Sequence, residues 1–416
     1  MFVAAVPAMT SGSRFLLAAR QCEIAELEEL ALTAELVGVI GRFIHALQRE
    51  RGMCNIFLSS QGTRFADQRL QQVAECRRTE QEVRAAFARL DTGSPDVRNG
   101  ARLFSRVAMV LHGLDALPAL RERVAAQALG AREATAAYVK LVTGLLAVVF
   151  EAADTATDPE ISRALVGLFN FMQGKEFAGQ ERAFGAAAFA AGSIDAGGQQ
   201  QWHHLVDSQQ GCFQVFCDFA APEVLRMDQA SRDAQVLAEV ERLRRLGWDG
   251  PPGALDRNLI QAWYDACTRR LDAMRDVEDL LALHLRHLCE ARIDRARAEL
   301  RDQRALLDSL ADEETRTAAD AGAGYGPHLE RTLPAMLQQQ ALRLQAMGDE
   351  LEAARASLNE RKAVERAKGL LMAHRHMSED EAYKALRQMA MNQNRRLIDV
   401  AEAVLSLADV LPQGVR

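Results

Sequence analysis

The chain has 416 residues, 49% hydrophobic and 26% charged, which excludes a disordered polymer and a mostly membrane-buried protein and allows two or three domains. Few glycines (27) and prolines (10), with only 6% aromatics, favour helices over sheets, so the expected fold class is all-α. The net charge of −7 excludes a global positive field for nucleic acid, and any basic surface must be local.

In chain order, Met1–Ala19 lacks the basic start and continuous apolar core of a signal peptide. No uninterrupted apolar run reaches 18 residues, and the longest candidate, Tyr138–Ala153, is too short to span a bilayer. Seven cysteines without C-x-x-C spacing read as reduced thiols. A cytoplasmic location without membrane partners is expected. From Glu23 to about Arg301 long helical segments alternate with breaks. Ile24, Leu27, Leu30, Leu32, Leu36, Val37, Val39 and Ile40 keep a helical period. Residues 93–95, Gly192–Gly198 and Gly247–Gly253 read as connections. A charged helix runs from about Ala262 past Asp312, with an interruption at Gly322–Pro327. Beyond it Leu337, Leu344, Leu351 and Leu358 recur every seventh residue, with Met347 and Ala354 between them. That spacing predicts a coiled coil and a homodimer.

Residues 361–416 differ in charge, with ten Lys/Arg against seven Asp/Glu. Three helices are expected there: one continuing through Ala373, one opening at Ser378 as N-cap before Glu379-Asp-Glu381, and one over about Leu397–Val410. Lys368, Arg387, Arg395 and Arg396 would form one basic face, which on charge alone reads as a solvated surface before an RNA site.

The run Glu365-Arg-Ala-Lys-Gly-Leu-Leu-Met372, then Ser378-Glu-x-Glu-Ala-Tyr-x-x-Leu-Arg387, then Asn394-Arg-Arg-Leu-x-x-Val-Ala401 closely resembles the ANTAR domain, a three-helix RNA-binding module of transcription antiterminators. The resemblance implies binding to hairpins in a nascent leader mRNA, so that the terminator does not form. It points to Lys368, Gly369, Arg387 and Arg395 as RNA contacts, with Arg396 an equal candidate for Arg395's role. It places Met391 and Ala401 near that surface. Ala367, Leu371, Met372, Ala382 and Leu386 sit at core spacing.

Three charged stretches interrupt otherwise apolar helices, and buried arginines require partners. They are Leu47-Gln-Arg-Glu-Arg-Gly-Met-Cys-Asn-Ile-Phe-Leu-Ser-Ser-Gln-Gly62, Phe169-Asn-Phe-Met-Gln-Gly-Lys-Glu-Phe-Ala-Gly-Gln-Glu-Arg182, and Trp263-Tyr-Asp-Ala-Cys-Thr-Arg-Arg-Leu-Asp-Ala-Met-Arg275. The first two share a Gln-(x)-Glu-Arg core. These stretches resemble the NIT domain, an all-helical receptor for nitrate and nitrite. The resemblance implies two stacked four-helix bundles with the anion held inside by arginines. Carried over residue by residue, it points to Arg51, Arg182 and Arg270, with Arg49 a possible fourth and Thr268 and Gln180 as hydrogen-bond donors. The choice between Arg49 and Arg51, and between Arg269 and Arg270, stays open, and each arginine has a competing role as a salt bridge to Glu50, Glu176 or Glu181. Arg269 and Arg275 are expected on the outer face. A guanidinium fork donates two parallel bonds to a planar oxyanion and keeps its charge when desolvated.

No enzyme is expected. His284-x-x-His287-x-Cys289 lacks a fourth ligand for a metal, and no nucleophile elbow, phosphate loop or receiver pattern is present. No cofactor is expected beyond the ligand nitrate or nitrite. The domains are expected as a sensor over residues 23–300, a linker and coiled coil over 301–352, and an RNA-binding module over 353–411. The implied function is antitermination licensed by nitrate. The alternatives are a sensor whose last helices bind a protein partner, and an antiterminator that answers to another small anion.

Overall fold

A computed structural model describes residues 11–90, 100–248, 253–320, 327–375, 377, 379–393 and 395–408. The described chain is helical almost throughout, as its composition requires. Its helices are α1 (Ser11–Ser59), α2 (Ala66–Ala88), α3 (Gly100–Ala125), α4 (Ala131–Thr155), α5 (Pro159–Ala191), α6 (Ala196–Phe219), α7 (Pro222–Ser231), α8 (Ala234–Trp248), α9 (Ile260–Asp320), α10 (Pro327–Arg375), α11 (Glu379–Gln393) and α12 (Leu397–Ala408). A short 3-10 turn precedes α9, and the one departure from all-α structure among these residues is a pair of two-residue strands, β1 (Ser193–Ile194) and β2 (Gly253–Ala254).

The chain divides into two compact units, Met1–Leu342 and Arg343–Arg416. In the first, α1 packs with α2 and α4, and α3 closes that bundle against α4. α5, α6, α8 and α9 form the second bundle, and α1 also lies along α9 and α5. The second bundle is filled by Phe189, Trp202, Val240, Leu243 and Trp263. In α1 the apolar stripe read from the sequence is buried, except Leu32, which is 61% exposed. The start of α1 meets the end of α9 and Met336 of α10 through Leu16, Leu17, Leu300 and Leu307.

Local sequence sets the ends of α5. Asp158 caps it by accepting from the backbone N–H of Glu160 and Ile161, and Pro159 occupies the first turn, where no N–H is needed. Gly192 ends it in the left-handed region at φ 73°, a conformation that glycine adopts without penalty. The connections expected at 93–95 and 322–326 lie outside the described residues, as does the N-cap expected at Ser378. Gly247 and Trp248 belong to the last turn of α8, and not to a turn.

Three segments are long and apolar enough on average to cross a membrane: Gly12–Ser59, Ala101–Ala125 and Ala131–Thr155. The first and third bury 61% and 56% of their most apolar window inside the protein. Their apolar faces are covered by neighbouring helices, which explains an averaged hydropathy that uninterrupted runs do not reveal.

The second unit is a small bundle formed by the later part of α10 with α11 and α12. Its core is Ala367, Leu386, Ala390, Val400 and Ala401, joined by partly buried Val364, Leu371, Leu397 and Leu405. Ala382 is buried as its spacing predicts. Two expectations are corrected here. Ala401 is fully buried and not near the surface, and Met372 is 37% exposed and not core. Of the leucine seam of α10, Leu337 and Leu344 are both exposed.

Candidate functional site

Ion pairs fix α5 and α9 antiparallel in a single register. Asp158 accepts from Arg292 at 2.9 Å, Lys175 pairs with Glu278, Glu181 lies 3.5 Å from Arg270, and Arg182 donates to Thr268 at 3.0 Å. The partner numbers rise on one helix as they fall on the other, so sliding α9 by one turn breaks every rung. Burial is the main reason the Lys175 ammonium sits below its ordinary pKa, with Glu278 opposing it.

The first two charged motifs meet where α1 crosses α5. Arg51 is 1% exposed and presents both terminal nitrogens to Glu176, with Nη2 at 3.2 Å from Oε2. The same carboxylate accepts from Gln48 at 2.9 Å and from Gln180 at 3.0 Å. Arg182, 3% exposed, donates to the Gln48 carbonyl at 3.1 Å and to Thr268 Oγ1, and its guanidinium lies 5.0 Å from the Tyr264 ring centre. The approach is reciprocal. A Cβ at Gly179 would stand 2.7 Å from Arg51 Nη2, and one at Gly52 would stand 2.8 Å from Arg182 Nη2. Each motif's glycine therefore makes room for the other motif's arginine.

A second network hangs from the other flank of α5 and shares no member with the first. Glu181 is fully buried and accepts both nitrogens of Arg244 at 2.6 Å, Gln209 at 2.8 Å and the Trp202 indole at 3.1 Å. Burial alone would raise the Glu181 pKa, but the bonds and charge of Arg244, with Arg270 behind them, hold it below the ordinary carboxylate range. Arg270 is pulled the other way: burial, reinforced by the Arg244 charge, lowers its guanidinium against the pull of Glu181. Its Nε is buried without a hydrogen-bond partner.

A third network, in the α1–α4 bundle, is electrically closed. Glu50 is 0% exposed and takes both nitrogens of Arg121, at 2.8 and 2.9 Å, and the Tyr138 hydroxyl at 2.6 Å. Burial, with the Glu50 charge, pushes the adjacent Cys54 thiol up to about 11.

Of the sequence-predicted sensor residues, Arg51, Gln180, Arg182 and Thr268 thus come together, Arg270 joins a separate cluster, and Arg49 lies on the exposed side of α1. Arg269 is exposed as expected. Arg275 is not: its side chain is 13% exposed and pairs with Glu278 and Asp279, because that flank of α9 faces α5 and α1. Sequence reasoning missed Arg244, Tyr264 and Gln209. Arg244 lies outside all three motifs on a helix with two exposed arginines, Arg242 and Arg245, so nothing local distinguishes it. Among the described residues no group of three His, Cys, Asp or Glu is placed to hold a metal.

In the second unit Arg387, Arg395, Arg396, Gly369 and Met391 are exposed. Arg396 is committed to Asp399 at 2.9 Å. Lys368 is only 8% exposed, with Nζ 5.9 Å from the Tyr383 ring centre, so its stem packs in the bundle.

Comparison with known proteins follows the same division. The profile for nitrate and nitrite sensing domains matches residues 42–286, and that for the ANTAR domain matches 352–405. The nitrate regulatory protein of Klebsiella oxytoca is 34% identical over 392 residues, covering 94% of this chain and 93% of that protein. The chain belongs to the family of nitrate-responsive transcription antiterminators. The solved structure of the NasR transcription antiterminator aligns with a TM-score of 0.61 and 32% identity, over 96% of this chain and 99% of that one. As a member of this family the protein is a regulator with a sensing domain and an RNA-binding domain, and not an enzyme.

Proposed function

We propose that nitrate or nitrite binds inside the sensor against Arg182 and Arg51, with Gln180 and Thr268 as neutral donors. The observation that carries this reading is the state of Arg182, a buried guanidinium whose partners are a hydroxyl, a backbone carbonyl and an aromatic face, all neutral. A buried cation needs a counter-charge. With Arg51 and Arg182 against Glu176 alone, the network carries one positive charge in excess, which a monoanion neutralises. Arg244 and Arg270 share the buried Glu181, with Glu241 3.5 Å from Arg244 at the exposed rim, and the unpartnered Arg270 Nε makes that cluster the second seat to test. Calorimetry of the full chain with sodium nitrate, nitrite, sulfate and chloride decides between them. Arg182→Ala is expected to weaken nitrate binding by about 1.5–3 kcal/mol, the range for a hydrogen bond to a charged group, and Arg270→Ala by less. The reverse order moves the site to the Glu181 network. A preference for sulfate or chloride makes another anion the ligand.

Anion binding then licenses the ANTAR module to hold hairpins of a leader mRNA in the cytoplasm, which keeps the terminator from forming and opens nitrate-assimilation genes to transcription. RNA stems are read through backbone and shape, and the exposed Arg387, Arg395 and Gly369 suit phosphate contact. Lys368 contributes charge from within the bundle, and Arg396 engages RNA only by leaving Asp399. The protein acts as a homodimer joined along the exposed leucines of α10. The domains run as a sensor over residues 23–300, a connector over 301–352 and the RNA-binding module over 353–411.

A further inference from the structure

We infer that the Glu176 carboxylate is a built-in competitor of the anion, seated in the ligand's place and displaced when nitrate binds; the inference rests on the Arg51–Arg182 reading above. Four N–H donors converge on this group: Arg51 Nη1 and Gln180 on Oε1, and Arg51 Nη2 and Gln48 on Oε2. A carboxylate is a trigonal centre bearing two oxygens that share one negative charge. Nitrate and nitrite present the same pair of oxygens in the same plane. The donor set that satisfies Glu176 is therefore the set that either anion requires.

The fork geometry makes the two occupants exclusive. The edge of Arg51 that gives two parallel bonds is already spent on Glu176, and Gly179 lets that guanidinium press against α5. An incoming anion gains bidentate contact with Arg51 only as Glu176 swings out. One guanidinium edge cannot serve both at once, and the displaced carboxylate stays within the network, so that two arginines then face two anions. Arg182 is not part of the exchange. Its neutral partners leave it to attract the anion, and Gln48 links the two arginines, donating to Glu176 through its side chain while its carbonyl accepts from Arg182. The resident carboxylate also explains how Arg51 is held buried. Its removal from the fork is the local change that α5 experiences on binding.

The test is nitrate calorimetry and nitrate-dependent melting of the full chain bearing Glu176→Gln. The expected result is nitrate affinity raised by roughly tenfold or more, the scale of one charge-assisted bond. The ligand-free melting temperature should fall while the rise produced by nitrate grows. Glu176→Asp, which keeps the charge and shortens the reach to Arg51, is the second variant and should give a smaller gain of the same sign. Unchanged or weaker nitrate binding in a folded variant overturns the inference and makes Glu176 a residue that positions Arg51. Arg182→Ala run in parallel separates the two failures: undiminished nitrate binding in that variant shows the site reading itself to be wrong, whatever the Glu176 variants do.

Discussion

The sensor keeps Arg51 and Arg182 buried at 1% and 3% exposure, whereas the RNA-binding module leaves Arg387 and Arg395 exposed. The same side chain meets two solvents. Inside the helical bundles a guanidinium has no water to screen it, so its behaviour depends on the counter-ions around it: Arg121 has Glu50 with Glu80 behind it, Arg51 and Arg182 share Glu176, and Arg244 and Arg270 share Glu181 with Glu241 at the rim. On the surface of the small bundle the charge is exposed to water, and phosphates brought by a partner can reach it. Closed networks hold the fold, cationic excess suits a small anion, and exposed charge suits RNA.

This contrast breaks first at Glu50. Glu50→Ala leaves Arg121 buried without its bidentate partner and is expected to destabilise the protein by about 3–5 kcal/mol, read as a lower denaturation midpoint with an unchanged slope. A loss below about 1 kcal/mol would show that water or Glu80, 3.4 Å from Arg121, replaces the carboxylate and that the closed network is not a structural keystone.

The exposed side of the comparison is sharpened by Arg387→Ala with Arg395→Ala. Each is expected to weaken leader-RNA binding by about 1–3 kcal/mol and to reduce the salt dependence of binding by about one phosphate contact. The melting temperature and nitrate affinity should change little, because both side chains are exposed. Loss of stability instead of RNA affinity would make these arginines structural, like those of the sensor.

A smaller effect comes from His45 of α1. Burial first, then the charges of Lys175, Arg275, Arg49 and Arg182, lower its pKa to about 2. The folded state therefore keeps His45 neutral while the unfolded chain protonates it near 6.5. The unfolded state binds more protons below that pH, so stability falls as pH drops from about 6.5. The expected cost is about 1.4 kcal/mol per pH unit. His45→Gln should flatten that part of the stability profile between pH 6.5 and 5. An unaltered slope would mean that the cationic neighbourhood of α1 is screened, and would weaken the account of buried excess charge.

How much was legible in the sequence depends on the range of the cause. Helix content, the core of the RNA-binding module at Ala367, Ala382 and Leu386, and the charged motifs at 47–62, 169–182 and 263–275 are written in short-range terms: propensity, 3.6-residue spacing, and charge where apolar residues are expected. These survive any arrangement of the helices. Which flank of a helix is buried is a different matter, because a helix has flanks in every direction and neighbouring helices choose among them. For this reason the sequence places Arg275 outside, Leu32 inside and Lys368 on the surface, whereas Arg275 is largely buried, Leu32 is exposed and the Lys368 stem packs beside Tyr383. The pairing of Arg51 with Glu176, the setting of Arg182 among neutral partners, and the recruitment of Arg244 to Glu181 each join residues dozens of positions apart. Those pairings determine the sign of the charge left inside the sensor, and only the packing of α1, α5, α8 and α9 against one another decides them.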